Sequence, residues 1–303
     1  MDPRRRALLA FLAAGALGPE PRPSFGQTRI MTKAIPSTGE ALPVIGVGTW
    51  QTFDVGSDAS ARTPLGEVLK LMTQGGRGVV DSSPMYGSSE SVAGDLMAQA
   101  GLRDKLFVAT KVFTSGRDAG IRQIETSFKR LRVERMDLMQ IHNLVDVQTH
   151  TKTLQDWKDR KRVRYIGITH YTSSAYGEVE RLLKTGQYDF LQINYSLGER
   201  ESEKRILPGA KENNMAVIAN RPFAEGALFR QVKGKALPPW AAELGIASWA
   251  QYFLKWIVSH PALTCAIPGT GNPKHMADNL GAGHGPLPDE AGRKRMASFF
   301  DGL

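Results

Sequence analysis

The chain is poor in cysteine and in long hydrophobic stretches, and it has no low-complexity tract. Its 303 residues include one cysteine, Cys265, which excludes an intramolecular disulfide and a metal site built from several thiolates. No stretch is long and apolar enough to suggest an integral membrane segment. The net charge of +9 comes from lysines and arginines scattered among acids, which argues against nucleic acid as a partner.

The first 26 residues are predicted to be a secretory signal, which leaves residues 27–303 as a single folded domain. Three arginines at positions 4–6 precede an apolar stretch, residues 7–17, that is too short to span a bilayer. Adjacent arginines in this context resemble a twin-arginine export signal and imply a periplasmic location. The alternative is a disordered basic tail on a protein that stays in the cytoplasm.

Short apolar runs alternate with segments of helical spacing from residue 41 onward. Ile121, Ile124, Phe128 and Leu131 form one such helical stripe. Runs that are apolar throughout are typical of parallel strands, which are buried on both faces. Eight such runs begin at Pro43, Gly78, Leu106, Met136, Tyr165, Phe190, Ala216 and Thr264.

Eight strand-then-helix units over about 250 residues predict a (β/α)8 TIM barrel, a single-domain fold of the α/β class. A doubly wound sheet is the alternative, but no G-x-G-x-x-G motif follows the first strand. In a barrel the C-terminal ends of all strands meet at one mouth, where active sites of this fold form. Polar residues or a tryptophan stand at these ends, namely Trp50, Asp81, Lys111, His142, His170, Gln192, Asn220 and Thr270.

The stretch "VVDSSPMYG", residues 79–87, ends a buried strand by presenting Asp81 and Tyr86 together. Lys111 and His142 end the next two strands, so we expect all four side chains in one sector of the mouth. An ammonium beside a phenol favours the phenolate and lowers the phenol's pKa, and an adjacent carboxylate compensates the ammonium. A neutral histidine can hydrogen-bond a carbonyl oxygen and orient it. The four residues therefore predict a proton relay that ends on an acid suited to a carbonyl oxygen.

These motifs, followed by "VATKV", "LMQIHN", "YIGIT" and "CAIPGTGNPKHMADNLG", resemble the aldo/keto reductase superfamily in order and spacing. The resemblance implies NADPH-dependent reduction of a small aldehyde or ketone, with NADH as a possible second donor. It assigns Tyr86 as the general acid, Lys111 as the group that tunes it, Asp81 as the partner of Lys111, and His142 as the group that positions the carbonyl. None of these side chains supplies a hydride, so the reaction needs the nicotinamide cofactor.

The resemblance also implies the residues that hold the cofactor. Thr169, His170 and Gln192 would bind the nicotinamide carboxamide, the loop 220–229 the pyrophosphate, and residues 268–279 the adenosine end. Trp50 and Asn143 would line the substrate pocket. The implied cofactor-binding set comprises Thr49, Trp50, Thr169, His170, Gln192, Asn220, Arg221, Pro222, Phe223, Gly226, Pro268, Gly269, Thr270, His275, Asp278 and Asn279.

The sequence departs from the family at several of these positions. His170 stands where the family usually has Asn, and it either binds the nicotinamide or turns toward the substrate. Arg221 either contacts the pyrophosphate or is a solvated loop residue. Gly269 and His275 replace the Lys and Arg of many NADPH-selective members, and Lys274 compensates only as a single charge. We therefore expect a preference for NADPH over NADH with reduced discrimination.

Two other functions remain open on the sequence alone. One is a non-catalytic NADP(H)-binding module that senses redox state for a partner. The other is a metal-dependent barrel hydrolase using His142, His170 and Asp81, although the first strand lacks the H-x-H pair such enzymes use. The aromatic pair Phe299 and Phe300 either caps the mouth or seals the side of the barrel. The sequence does not indicate an oligomeric state.

Overall fold

The computed structural model describes residues 29–303, so the proposed signal in residues 1–26 lies outside the described residues. This part of the chain begins with an antiparallel hairpin, β1 (Thr32–Ala34) and β2 (Ala41–Pro43). Eight parallel strands follow: β3 (Val47–Gly48), β4 (Gly78–Asp81), β5 (Leu106–Val112), β6 (Met136–His142), β7 (Val163–Thr169), β8 (Phe190–Asn194), β9 (Ala216–Asn220) and β10 (Cys265–Ala266).

The eight strands lie side by side in sequence order from β3 to β10. Two isolated parallel bridges, Ile45 with Ala266 and Gly48 with Gly269, join the last strand to the first. The sheet thus curls into a nearly closed barrel, whereas a doubly wound sheet would leave two separate edges. The prediction of an α/β TIM barrel with eight strands is confirmed.

Helices connect the strands and cover the outside of the barrel. In α3, the predicted stripe is buried at Ile124, Phe128 and Leu131 and faces the sheet. The helices are α1 (Ala59–Met72), α2 (Ser89–Gln99), α3 (Arg117–Leu131), α4 (Val147–Asp159), α5 (Tyr176–Leu183), α6 (Ile206–Glu212), α7 (Ala227–Gln231), α8 (Trp249–Val258), α9 (Pro273–Gly281) and α10 (Glu290–Asp301).

The barrel interior changes from apolar to polar along the strands. Because side chains alternate across a strand, residues two apart share a face. On β5 the buried residues Phe107 and Ala109 point into the barrel, and Lys111, two residues further on, lies on the same face of the strand. Ile35 and Leu42 of the N-terminal hairpin belong to the same apolar cluster as Phe107, so the hairpin closes the N-terminal end. The polar residues are left at the opposite, C-terminal mouth.

The C-terminal helix packs on the side of the barrel. The ring of Phe299 lies 5.9 Å from that of Trp240, and the ring of Phe300 lies 5.7 Å from that of Phe253 in α8. Phe300 is fully enclosed in the main core. These two phenylalanines therefore seal the barrel side and do not cap the mouth. Across residues 29–303, the helices are all too short or too polar to span a bilayer.

Candidate active site

A buried ion pair lies at the centre of the mouth. Lys111 Nζ is 2.5 Å from Asp81 Oδ2 and also donates to the carbonyl oxygen of Ser82 at 2.7 Å. The side chains of Lys111 and Asp81 are only 1% and 2% exposed, so solvent does not screen them. Burial is the largest single effect and opposes a charged lysine, but Asp81 and Tyr86 together outweigh it, so the pKa of Lys111 is raised above its usual value. The pair with Asp81 therefore favours the ammonium form of Lys111.

Two glutamine amides complete the shell of Asp81. Its Oδ1 accepts the Nε2 groups of Gln140 at 3.0 Å and of Gln192 at 2.9 Å. The carboxylate thus has a partner on each oxygen, as a buried charge requires. Gln192 was predicted to hold the cofactor. Its Nε2 is committed to Asp81, so only its Oε1, which accepts from Thr169 Oγ1 at 3.4 Å, remains for a ligand amide.

Tyr86 is placed next to this pair by a tight turn. Its backbone N–H donates to the carbonyl oxygen of Ser83 at 3.0 Å, and Gly87 follows with φ of +57°. Lys111 Nζ lies 5.1 Å from the centre of the Tyr86 ring. Burial raises the pKa of Tyr86 above its usual value, and the opposing charge of Lys111 does not cancel that effect. The expectation of a net lowered pKa is therefore wrong, although Lys111 acts in the expected direction.

His142 completes the group of four. Its ring packs edge-on against Tyr86 at 5.8 Å between centroids, and Phe113 packs on it at 5.1 Å. Burial, with smaller contributions from the charges of Lys111 and His170, lowers the pKa of His142 to about 3. The imidazole is therefore neutral at physiological pH. Its Nδ1 lies 3.0 Å from Ser83 Oγ.

The residues predicted to hold the nicotinamide are neighbours at the ends of β7, β8 and β9. Thr169 is buried, and the next residue, His170, is half-buried. His170 Nδ1 accepts the Thr172 backbone N–H at 3.2 Å, so the proton of the neutral ring is on Nε2. Asn220 Nδ2 donates to the His170 carbonyl at 3.1 Å, while the buried Oδ1 of Asn220 has no protein partner within residues 29–303. An orphaned acceptor of this kind fits a ligand hydroxyl or amide.

Arg221 is held by its neighbours and is not a solvated loop residue. Its Nη1 donates to the carbonyl oxygen of Tyr171 at 3.2 Å, and its guanidinium lies 3.5 Å from Glu225 and 3.9 Å from Glu199. The loop that carries it adopts left-handed backbone angles at Arg221, Ala224 and Glu225 (φ 51°, 46° and 53°). Such conformations are unfavourable for residues other than glycine and cluster at ligand-binding loops.

Other residues of that loop contact protein. Pro222 is buried, and Phe223 packs on Phe229 at 4.8 Å between ring centroids. Gly226 has φ of +83° and stands immediately before α7, where a left-handed angle favours glycine. Thus these three predicted cofactor residues shape the loop through packing and backbone geometry.

The segment from Pro268 to Asn279 follows β10 and begins α9. Pro268, Thr270 and Asn279 are buried, whereas Gly269 and His275 are exposed. The Asn272 side chain caps α9 by accepting the Lys274 N–H at 2.9 Å. Pro273 has no N–H and the Met276 N–H donates to the Asn272 carbonyl, so the His275 N–H is the one left in this turn for a phosphate.

Asp278, also in α9, is bound to protein. It accepts from Ser248 Oγ at 2.7 Å and from Gln251 Nε2 at 2.8 Å. These bonds tie α9 to the start of α8, because Ser248 is the N-cap of that helix. If Asp278 also bound the cofactor, as predicted, its carboxylate oxygens would have to accept from the ligand in addition to these two donors.

Large side chains surround the mouth on the side of the loops after β3 and β4. Trp50 is 44% exposed and Met85 48% exposed, and Thr49, which precedes Trp50, is fully buried with its Oγ1 donating to Ser82 Oγ at 2.9 Å. Asn143 follows His142 with a left-handed φ of 52° and is half-buried. An exposed indole and thioether at an open mouth suit a small, partly apolar substrate.

Sequence reasoning missed Gln140 and Ser83. Gln140 has the same strand parity as His142, so the alternation rule alone puts it in the barrel interior beside Asp81. Ser83 lies in a loop, and no periodicity predicts its contact with His142. As for metals, the described part of the chain has no cluster of three His, Cys, Asp or Glu side chains arranged to hold an ion.

Comparison with known proteins identifies the family. Residues 44–294 match the Aldo/keto reductase family, which is most of the chain. Methylglyoxal reductase YeaE of Escherichia coli (strain K12) is 29% identical over 255 residues, covering 82% of this chain and 88% of YeaE.

Solved structures agree with this fold. An aldo/keto reductase from Klebsiella pneumoniae, in complex with NADP and acetate, superposes with a TM-score of 0.76 at 23% identity, covering 89% of this chain and 96% of that one. The holo form of aldo-keto reductase AKR11C1 from Bacillus halodurans gives 0.71 at 19% identity, covering 90% and 96%. With the barrel, the ordered strand-end residues and the family match together, the chain belongs to the aldo/keto reductase family.

Proposed function

We propose that the protein is an NADPH-dependent reductase of small aldehydes and ketones, with Tyr86 as the general acid. The observation that carries this proposal is the arrangement of Lys111, Asp81 and His142 around Tyr86. The Lys111 ammonium lies 5.1 Å from the Tyr86 ring centre, the neutral His142 ring packs on the same tyrosine, and Asp81 fixes the ammonium.

Each side chain has one task in this reaction. NADPH, when bound, would supply the hydride for the carbonyl carbon. Tyr86 gives its phenolic proton to the carbonyl oxygen, which becomes the product hydroxyl, and Lys111 stabilises the phenolate left behind. His142, neutral because its pKa is about 3, hydrogen-bonds the same carbonyl oxygen and orients it.

The residues at the mouth fit a nicotinamide dinucleotide. His170 Nε2–H offers a donor to a carboxamide, and Gln192 Oε1, which already accepts from Thr169 Oγ1, has a second lone pair to offer as an acceptor; the orphaned Asn220 Oδ1 offers another acceptor. The first turn of α9 would take a phosphate. Lys274, exposed in that turn, supplies a single positive charge for a 2′-phosphate.

We expect NADPH to be preferred over NADH, with weaker discrimination than a lysine–arginine pair would give. The measurement is kcat/KM for both cofactors with one aldehyde, in the wild type and in Lys274→Ala. A smaller NADPH preference in the variant supports the assignment of Lys274. A wild type that prefers NADH contradicts the expected preference for NADPH.

The substrate is proposed to be a small carbonyl compound, and the similarity to methylglyoxal reductase YeaE makes 2-oxoaldehydes the first class to test. A panel of methylglyoxal, simple aldehydes and simple ketones, followed by the loss of NADPH absorbance, ranks these classes by kcat/KM. Turnover that is highest for a 2-oxoaldehyde supports the assignment.

The decisive experiment compares the wild type with Tyr86→Phe, which keeps the ring packing on His142 and removes the proton. Activity in the wild type and its loss in the variant, with NADPH affinity retained, support the proposal. NADPH binding without turnover of any carbonyl in the panel would instead favour the redox-sensing module.

Export is a separate proposal that rests on residues 1–26. We propose that the twin-arginine signal carries the folded protein to the periplasm, a route that suits a protein loaded with its cofactor in the cytoplasm. Cell fractionation of the full chain, beside a variant with all three arginines at positions 4–6 replaced by lysines, tests it. Full-length protein found only in the cytoplasm would contradict export.

A further inference from the structure

Ser83 is a buried polar residue at the mouth to which no role has yet been given. It is fully enclosed, two residues beyond the end of the strand that carries Asp81. Its Oγ lies 3.0 Å from His142 Nδ1, and within residues 29–303 no other polar side chain bonds to that ring. Among the residues that the structure describes, none bonds to His142 Nε2, and this atom is not an enclosed one without a partner, so Nε2 is the nitrogen that faces the mouth.

A neutral imidazole carries its proton on only one of its two nitrogens, and the partner of Nδ1 decides which. Ser83 Oγ already accepts the backbone N–H of Met85, at 3.5 Å. If Nδ1 carried the proton, Ser83 would accept a second bond, and its own hydrogen would have no acceptor in the described part of the chain. Leaving a buried donor unpaired is unfavourable. The pairing in which Ser83 donates to Nδ1 satisfies every group.

We propose that Ser83 is a positioning residue whose hydroxyl donates to His142 Nδ1 and thereby holds the ring proton on Nε2, aimed at the substrate carbonyl oxygen. The proposal rests on the proposed reductase function, because only a carbonyl substrate gives the Nε2–H donor its task. With the proton on Nδ1, a nitrogen lone pair would face the carbonyl oxygen and repel it.

The first test reads the tautomer directly and needs no substrate. In protein labelled with ¹⁵N-histidine, protonated and unprotonated ring nitrogens of a neutral imidazole have well-separated chemical shifts. His142→Asn identifies the His142 signals by their disappearance. We expect an unprotonated Nδ1 and a protonated Nε2 in the wild type, and a protonated Nδ1 there would overturn the proposal.

The second test uses Ser83→Ala, with Ser83→Thr as the variant that keeps the hydroxyl. In Ser83→Ala we expect the His142 signals to move toward a mixture of tautomers and kcat/KM for the carbonyl to fall about tenfold, the scale of one hydrogen bond. The affinity for NADPH is expected to stay the same. Ser83→Thr is expected to restore both the wild-type tautomer and most of kcat/KM.

Ser89→Ala is the matched control, because Ser89 is equally buried and its Oγ bonds to the Thr49 carbonyl at 3.3 Å without touching His142. It is expected to leave the His142 tautomer unchanged. Wild-type tautomer and wild-type kcat/KM in Ser83→Ala would overturn the proposal, while a wild type without carbonyl turnover would overturn the reductase function and leave the tautomer result standing. If Ser83→Ala does not fold, the wild-type measurement alone decides.

Discussion

The buried pair of Asp81 and Lys111 allows folding and catalysis to be separated by substitution. In Asp81→Asn, the ammonium loses its counter-charge and keeps only the Ser82 carbonyl. In Lys111→Met, the carboxylate keeps two glutamine amides and loses its cation. Both side chains are almost fully enclosed, at 2% and 1% exposure, so water cannot replace the missing partner.

Removing one partner of a buried pair leaves an uncompensated charge and costs about 3–5 kcal/mol of unfolding free energy. Replacing both charges removes that penalty, so Asp81→Asn/Lys111→Met is expected to lie within about 2 kcal/mol of the wild type. Its reductase activity is nevertheless expected to be lost, because Tyr86 then has no ammonium to stabilise its phenolate. The second substitution should therefore restore most of the stability that the first one removes, but it should restore none of the activity.

The measurement is urea unfolding of the wild type, both single variants and the double variant, compared at equal m-values. A matched control is Lys70→Met, since Lys70 pairs with Glu67 on the surface with both side chains more than half exposed and should change stability by less than about 1 kcal/mol. If the double variant were no more stable than the less stable of the two single variants, an unpaired charge would not be the cause of the lost stability.

Three further outcomes are expected. The pKa of His142 is about 3 in the folded protein and 6.5 as a free side chain, so between these pH values only the unfolded chain binds a proton there. The free energy of unfolding should therefore fall as the pH drops below 6.5, by about 2 kcal/mol near pH 5. In His142→Asn, the free energy of unfolding measured with urea should depend less on pH across that range. His170→Asn should tighten NADPH binding in a fluorescence titration, because an amide offers a donor and an acceptor where the ring offers only Nε2–H; weaker binding would contradict this. Gly94→Ala should lower the melting temperature, since its Cβ would lie 2.0 Å from the Arg130 carbonyl, whereas Gly66→Ala meets nothing closer than 3.7 Å and should not.

The barrel and the centre of the site follow from regularities that short stretches of sequence carry. Fully apolar runs mark parallel strands, and the residue that ends each run marks the mouth. The same parity that puts Phe107 and Ala109 inside the barrel also puts Lys111 there, and the parity of His142 puts Gln140 beside Asp81. Gln140 was therefore accessible to sequence reasoning and was missed only because a single residue per strand end was considered.

Other features depend on contacts between distant segments and have no local signal. The bond between Ser83 and His142 joins a loop to a strand 59 residues away, and the packing of Phe299 depends on Trp240 in a preceding turn. The position of Arg221 depends partly on Glu199, which lies in a different loop. These elements form only after the barrel has brought its loops together.

The pKa of Tyr86 shows why a list of neighbours does not give the balance between them. An adjacent ammonium suggests a lowered pKa, but enclosure disfavours the phenolate more strongly, and the net pKa is raised. A raised pKa keeps the phenol protonated at neutral pH, which is the form a general acid needs before the reaction. Because Lys111 is charged and unscreened, its attraction acts on the phenolate only as the proton leaves. In the proposed reaction the stabilisation therefore belongs to the transition state and not to the ground state, which is the condition under which a neighbouring charge accelerates a reaction.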